Sequence, residues 1–108
     1  MSGTPEGAIV TAVLELLAYR GVFARRINVG PIPAKGGGFR RSRMVGISDI
    51  LGVLPGGRFL AIECKAPGGR VRPEQADFIA AVNRKGGLAF VAVSTLDVER
   101  RLDQEGIR

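Results

Sequence analysis

Charged residues inside apolar β-strands constrain this chain more than any other feature. Glu63 and Lys65 follow the apolar run of residues 59–62, and Asp49 opens the preceding apolar run, after Gly46. Successive side chains of a strand point to opposite faces, so Glu63 and Lys65 project together while their neighbours point into an apolar interior. With Asp49 on the adjacent strand, the pattern predicts three charged side chains on one face of a sheet.

Two carboxylates brought close together in a sheet require a compensating charge. They repel each other unless a cation lies between them, and the simplest such cation is a divalent metal ion. The chain has no histidine and a single cysteine, Cys64, which excludes a histidine base and a zinc site. The metal must then be held by oxygen atoms, a preference of hard ions such as Mg²⁺ or Mn²⁺.

The net charge indicates the class of partner. The 108 residues fit a single domain spanning 1–108, and they carry a formal charge of +6, mostly from arginine. Guanidinium groups pair with phosphate oxygens in a bidentate fashion, which favours nucleic acid as the partner. An anionic membrane surface or an acidic protein is the alternative, but the only clear helices carry mixed charge, so we expect no membrane partner.

The cysteine content and the lack of a long apolar segment indicate the compartment. A single cysteine cannot form an internal disulfide, and the chain shows neither a signal peptide nor a membrane-length apolar run. We therefore expect an intracellular, cytoplasmic protein.

The predicted elements follow the order helix, three strands, helix, strand, helix. The first helix begins at Thr4 with a capping hydroxyl and ends at Gly21, and the second runs from Pro73 to Gly86. A capping box at Ser94 opens the last helix, which extends to about residue 104. The strands are predicted at residues 22–29, 48–54, 58–66 and 88–93.

A basic loop separates the first two predicted strands. Residues 30–38 are so rich in proline and glycine that we expect no regular structure there. Glycine lets the backbone approach a phosphate closely, so the loop is a candidate DNA-binding segment, although charged loops are commonly only solvated. The basic residues between the two predicted strands are Lys35, Arg40, Arg41 and Arg43.

The motifs and their order resemble the VRR-NUC family, the virus-type replication and repair nucleases of the PD-(D/E)xK superfamily. The similarity runs from about Glu6 to about Thr95 and has one departure, because Ser48 replaces the proline that commonly precedes the first motif acid. The family also tolerates this replacement. The matching motifs are Gly46-x-x-Asp49, Glu63-x-Lys65 and Glu74-Gln75, with Asn28-x-Gly30 and Glu6 as weaker matches.

The resemblance implies an α/β fold with a restriction-endonuclease-like core of order α-β-β-β-α-β, a mixed central sheet and a C-terminal helix. It also implies that Asp49, Glu63 and the backbone carbonyl of Cys64 bind Mg²⁺, for which Mn²⁺ can substitute. Glu6 would approach the metal from the first helix, although a first-turn glutamate also favours the helix dipole without any site. The family suggests a bacterial or phage-encoded protein.

The same resemblance assigns the remaining roles. Lys65 would lie beside the attacking water, as a base or only as a positive charge, and Gln75 would orient that water or the lysine. Gln75 is otherwise an ordinary first-turn residue. Phosphodiester hydrolysis needs a metal and a cation near the developing charge, and Asp49, Glu63 and Lys65 are suited to supply them.

The expected function is a metal-dependent DNA endonuclease that resolves Holliday-type junctions as a homodimer. A nuclease for flaps or other replication and repair structures is one alternative. A non-catalytic nucleic-acid-binding module is another, for which the basic loop alone would suffice.

Overall fold

The computed structural model describes residues 3–27, 32–33, 35–40 and 44–108. The architecture is a mixed α/β fold in which the order of the main elements agrees with the prediction. The elements are α1 (Pro5–Tyr19), β1 (Phe23–Arg26), β2 (Ile32–Pro33), β3 (Phe39–Arg40), β4 (Ile50–Val53), β5 (Phe59–Cys64), α2 (Pro73–Arg84), β6 (Leu88–Ala92) and α3 (Thr95–Gln104).

The first helix begins and ends where its local chemistry requires. The Thr4 hydroxyl accepts a hydrogen bond from the Gly7 amide at 3.0 Å, which satisfies one of the free donors of the first turn. Gly21 follows the helix with φ of 73°, a conformation that favours glycine. Val13 and Leu17 are fully buried on one side of the helix, so packing as well as capping fixes α1.

The main sheet has four strands in the order β1-β4-β5-β6. The first three strands pair in an antiparallel manner, while β5 and β6 are parallel and are connected through α2. This mixed sheet confirms the predicted fold class. The register aligns Ile50 with Ile62, so the start of β4 lies beside the end of β5. Asp49 directly precedes β4 and Glu63 lies near the end of β5, so this register brings the two motif acids together.

Helices cover both faces of this sheet. Side chains of α1 and α3 form one apolar core with alternate residues of β4, β5 and β6, among them Ile50, Leu60 and Ile62. The opposite face, which carries Glu63, contacts α2. Asn83 of α2 makes two hydrogen bonds of 2.9 Å with the backbone of Ala89 and so fixes the end of α2 to the edge strand β6. The charged residues therefore lie between the sheet and α2.

The predicted loop contains a short β-hairpin, so the expectation of no regular structure was wrong there. Ile32 pairs with Arg40, and Pro33 pairs with Phe39. Glycines 36–38 all have positive φ, and they reverse the chain between the two strands instead of preventing pairing. Four residues on which predictions were made lie outside the described residues, namely Asn28, Gly30, Arg41 and Arg43.

None of the helices in the described ranges is long and apolar enough to cross a membrane.

Candidate active site

Asp49 is held at the junction of three strands. Its carboxylate oxygen Oδ2 accepts a hydrogen bond from the Cys64 amide at 2.8 Å, and its carbonyl oxygen accepts one from the Ile27 amide at 2.7 Å. The side chain is therefore bound to the end of β5, while the backbone is bound to the residue that follows β1. These two hydrogen bonds fix the first motif acid beside Glu63.

Glu63 and Lys65 form a buried ion pair on the face predicted from the strand alternation. Their relative exposures are 2% and 7%, and Lys65 Nζ lies 3.3 Å from Glu63 Oε2. The Lys65 amide donates to the Ala92 carbonyl at 3.0 Å, which fixes the lysine backbone to β6. Removing charged groups from water is costly, so such a pair persists only where close partners compensate for the lost hydration.

Gln75 connects the first turn of α2 to this pair. Its Nε2 donates to Glu63 Oε2 at 3.1 Å, and its Oε1 accepts from the Arg72 amide at 2.9 Å. Glutamine at this position of a helix commonly accepts a hydrogen bond from the N-cap backbone, a spacing visible in the sequence. The amide group performs both tasks at once, so it fixes Glu63 relative to α2.

The environment of Glu63 disfavours its charge. Burial, together with the nearby negative charge of Asp49, raises the pKa of Glu63 to about 7, although the Lys65 ammonium acts in the opposite direction. The Glu63 Oε2 atom has two donors close by, whereas Oε1 is buried with no hydrogen-bond partner in the described part of the chain. Burying an acceptor without a partner costs free energy of folding. We therefore expect this oxygen to bind a cation or to accept a hydrogen bond from a further donor.

The available donors fit a magnesium-type ion. Asp49 and Glu63 offer carboxylate oxygens, and the Cys64 carbonyl is the predicted third ligand. Mg²⁺ commonly binds one or two carboxylates and keeps waters or substrate phosphates as its other ligands. Among residues 3–27, 32–33, 35–40 and 44–108, no three acidic, cysteine or histidine side chains form a group that could hold a metal. The ion would therefore depend on two carboxylates and backbone or solvent oxygens.

Glu6 lies at the margin of this site. It is exposed in the first turn of α1, where a negative charge also suits the helix dipole. Burial raises the pKa of the Cys64 thiol to about 12, and the charges of Asp49, Glu63 and Glu6 reinforce the shift. Glu6 is thus within electrostatic reach of the site, but it does not join Asp49 and Glu63 in a metal-binding group.

Gly46 has a structural role that the sequence analysis did not assign. Its φ is 92°, and a Cβ atom at this position would lie 2.5 Å from the backbone oxygen of Glu74. The segment that leads into β4 therefore packs directly against the first turn of α2 at Gly46. The Gly46-x-x-Asp49 spacing was the available signal, because a glycine near a strand commonly marks a close backbone approach.

The basic loop is only partly described. Lys35 is exposed at the turn between β2 and β3, and Arg40 belongs to β3. Arg41 and Arg43 lie outside the described residues. Contact between this loop and DNA stays a prediction.

Comparison with known proteins agrees with the observed fold. The model of the VRR-NUC domain family matches residues 4–96. A solved structure described as a VRR-NUC domain matches with a TM-score of 0.67 and 22% sequence identity, covering 94% of this chain and 97% of that chain. A search of curated proteins found no match. The family model spans most of the chain, including every motif acid, and the chain therefore belongs to the VRR-NUC domain family.

Proposed function

We propose that this protein is a divalent-metal-dependent, structure-specific DNA endonuclease that cuts Holliday-type four-way junctions as a homodimer. The VRR-NUC domain is a nuclease domain of the PD-(D/E)xK type, which establishes the coarser activity and DNA as the substrate class. The observation that carries the metal dependence is the buried Glu63 Oε1, which has no partner in the described structure and lies in a site with Asp49 and Lys65.

The chain's own residues prepare this site for phosphodiester hydrolysis. A bound Mg²⁺ would lower the pKa of water and neutralise charge on the phosphate oxygens. Asp49 and Glu63 supply its carboxylate ligands, and Gln75 keeps Glu63 in place through a 3.1 Å hydrogen bond. The Lys65 ammonium lies 3.3 Å from Glu63 and would supply a positive charge that stabilises the charge developing on a phosphate bound there.

An exposed apolar row supports the homodimer. Phe23, Val53 and Phe59 are paired in register across β1, β4 and β5, and their exposures are 58%, 43% and 41%. Side chains directly opposite one another share a face of the sheet, so the three form one continuous strip. Exposed apolar strips favour association, and a second copy would bring a second active site. A four-way junction has two-fold symmetry, so two such sites suit its paired strands.

The decisive experiment is cleavage of matched synthetic DNA substrates. Linear duplex, flap, splayed arm and four-way junction of shared sequence should be incubated with Mg²⁺ or Mn²⁺, and the products mapped at nucleotide resolution. We expect paired, symmetric incisions in the junction and little cutting of the duplex. Preferential flap cleavage would favour the alternative repair nuclease, and cleavage at one defined duplex sequence would indicate a restriction enzyme.

A matched pair of variants separates catalysis from binding. Glu63→Gln should reduce cleavage at least about a hundredfold while junction binding remains, because the neutral amide is a poor metal ligand. Glu15→Gln is the control, since Glu15 is exposed on α1. If wild-type protein binds the junction but cuts no substrate with either metal, the chain is a nucleic-acid-binding module.

A further inference from the structure

Two exposed arginines flank the site on opposite sides of the sheet, and none of the predicted DNA contacts includes them. Arg26 is the last residue of β1, and Arg72 is the N-cap of α2. Neither guanidinium has a carboxylate partner in the described part of the structure. Both side chains are exposed to solvent.

The position of Arg26 is fixed by the strand register. It pairs with Ile50, the neighbour of Asp49, and the next residue, Ile27, donates its amide hydrogen to the Asp49 carbonyl at 2.7 Å. Arg26 therefore lies at the same end of the sheet as Asp49 and the Cys64 amide that Asp49 binds. Through the register it shares a sheet face with Ile50, the face that α1 covers.

The position of Arg72 is fixed from the α2 side. Its amide donates to Gln75 Oε1 at 2.9 Å, and the same glutamine donates to Glu63 Oε2 at 3.1 Å. Two hydrogen bonds thus connect the Arg72 backbone to the catalytic carboxylate. The preceding turn folds back onto the site as well, since a Cβ on Gly69 would lie 3.4 Å from the Cβ of Lys65.

Arginines at the α3 end of the molecule are in a different situation. Arg20 lies 3.1 Å from Asp103, and Arg58 lies 2.6 Å from Glu105, so each is already paired with an acid. The charges beside the active site are left available for an external anion. An unpaired guanidinium is well suited to a phosphate group, because it can donate two parallel hydrogen bonds.

We propose that Arg26 and Arg72 bind backbone phosphates on either side of the phosphate that is cut, and thereby hold the strand across Asp49 and Glu63. The inference rests on the proposed function for its substrate, DNA. It adds two phosphate-binding residues on the rim of the site, separate from the basic loop. Since they would contact only the backbone, their contribution is independent of base sequence.

Salt-dependent binding tests this inference without relying on cleavage. Wild type, Arg26→Ala, Arg72→Ala and the double variant should be titrated with a synthetic four-way junction in EDTA at several salt concentrations. Each substitution should weaken binding about tenfold, consistent with loss of one charge-assisted contact. Each should also reduce the slope of log affinity against log salt by about 0.9. Junctions of two unrelated sequences should respond alike.

Arg84→Ala is the matched control. Arg84 is exposed on the same helix, also without a carboxylate partner in the described ranges, and is about 18 Å from Arg72 at 1.5 Å per helical residue. Its removal changes the net charge equally but should leave the slope unchanged. An unaltered slope in the double variant, or an equal loss with Arg84→Ala, would overturn the inference. Failure of the wild type to cleave DNA would refute the proposed function while leaving this binding result intact.

Discussion

Gln75 and Glu63 are joined by a 3.1 Å hydrogen bond from Nε2 to Oε2, and this contact links the start of α2 to the end of β5. The opposite end of the same amide accepts from the Arg72 backbone, so it also caps the helix. Helix capping and orientation of the Glu63 carboxylate are therefore one structural arrangement. A disturbance of the α2 N-terminus should affect Glu63 directly.

Gln75→Glu and Gln75→Ala separate these two roles. The glutamate variant keeps the acceptor for the Arg72 amide but loses the donor to Glu63 and adds a second negative charge. We expect cleavage to fall at least about tenfold with little loss of stability. The alanine variant loses both bonds, and unfolding should become easier by about 1 kcal/mol. Chemical denaturation and single-turnover cleavage would measure the two effects. Full activity of Gln75→Glu would show that the 3.1 Å contact is dispensable.

Much of the fold followed from local sequence signals. The capping residue Thr4, the helix-initiating Pro73 and the alternation around Glu63 each act through near neighbours, so their predictions were confirmed in the structure. The β2–β3 hairpin was missed because composition alone does not distinguish an irregular loop from strands joined by a glycine turn.

The site was harder to predict in its tertiary contacts. The proximity of Asp49 to Cys64 depends on the β4–β5 register, whereas the prediction placed Asp49 only on the strand adjacent to that of Glu63. The packing of Gly46 on Glu74 instead depends on the orientation of α2 relative to the sheet. No local sequence pattern encodes that orientation. For the same reason, Arg26 and Arg72 were not recognised as neighbours of the site. Their relation arises only after three separate segments have packed together.

The buried carboxylate should make the stability of the metal-free protein depend on pH. The pKa of Glu63 is raised from 4.5 to about 7, chiefly by burial, so the folded state binds a proton more tightly than the unfolded state. The associated stability is fully present below about pH 4.5 and is lost as the pH rises through about 7. The expected loss is on the order of a few kcal/mol.

Denaturant unfolding in EDTA between pH 5 and 8 measures this dependence. Glu63→Gln should flatten it, because the amide does not titrate. Added Mg²⁺ should stabilise the wild type more at pH 8 than at pH 5, since the ion favours the ionised carboxylate. Wild-type stability that increases from pH 5 to 8 in EDTA would contradict the assigned burial of this charge.

Gly46→Ala should disrupt the contact between the β4 entry and α2. The new Cβ would meet the Glu74 oxygen at 2.5 Å, and the backbone φ of 92° is itself unfavourable for alanine. Gly56→Ala is the control, because Gly56 has the same φ of 92° but open space around its Cβ. We expect Gly46→Ala to lower the free energy of unfolding by at least about 1 kcal/mol more than Gly56→Ala does. It should also lower the rate of DNA cleavage. Equal losses of stability in the two variants would show that the backbone around residue 46 shifts to accommodate the new Cβ without cost.

The apolar strip provides the test of the dimer. Phe23→Asp places a charge on the exposed row that includes Val53 and Phe59, and burying an unpaired charge in an interface is strongly unfavourable. Light scattering at micromolar concentration should give the wild type twice the 11.4 kDa chain mass and the variant a mass near one chain. Tyr19→Asp is the control, since Tyr19 is 90% exposed at the end of α1.

The monomeric variant should nick junctions singly, because paired incision requires two linked active sites. A wild-type mass near 11.4 kDa, with and without junction DNA, would exclude the dimer and leave single-strand cutting as the activity.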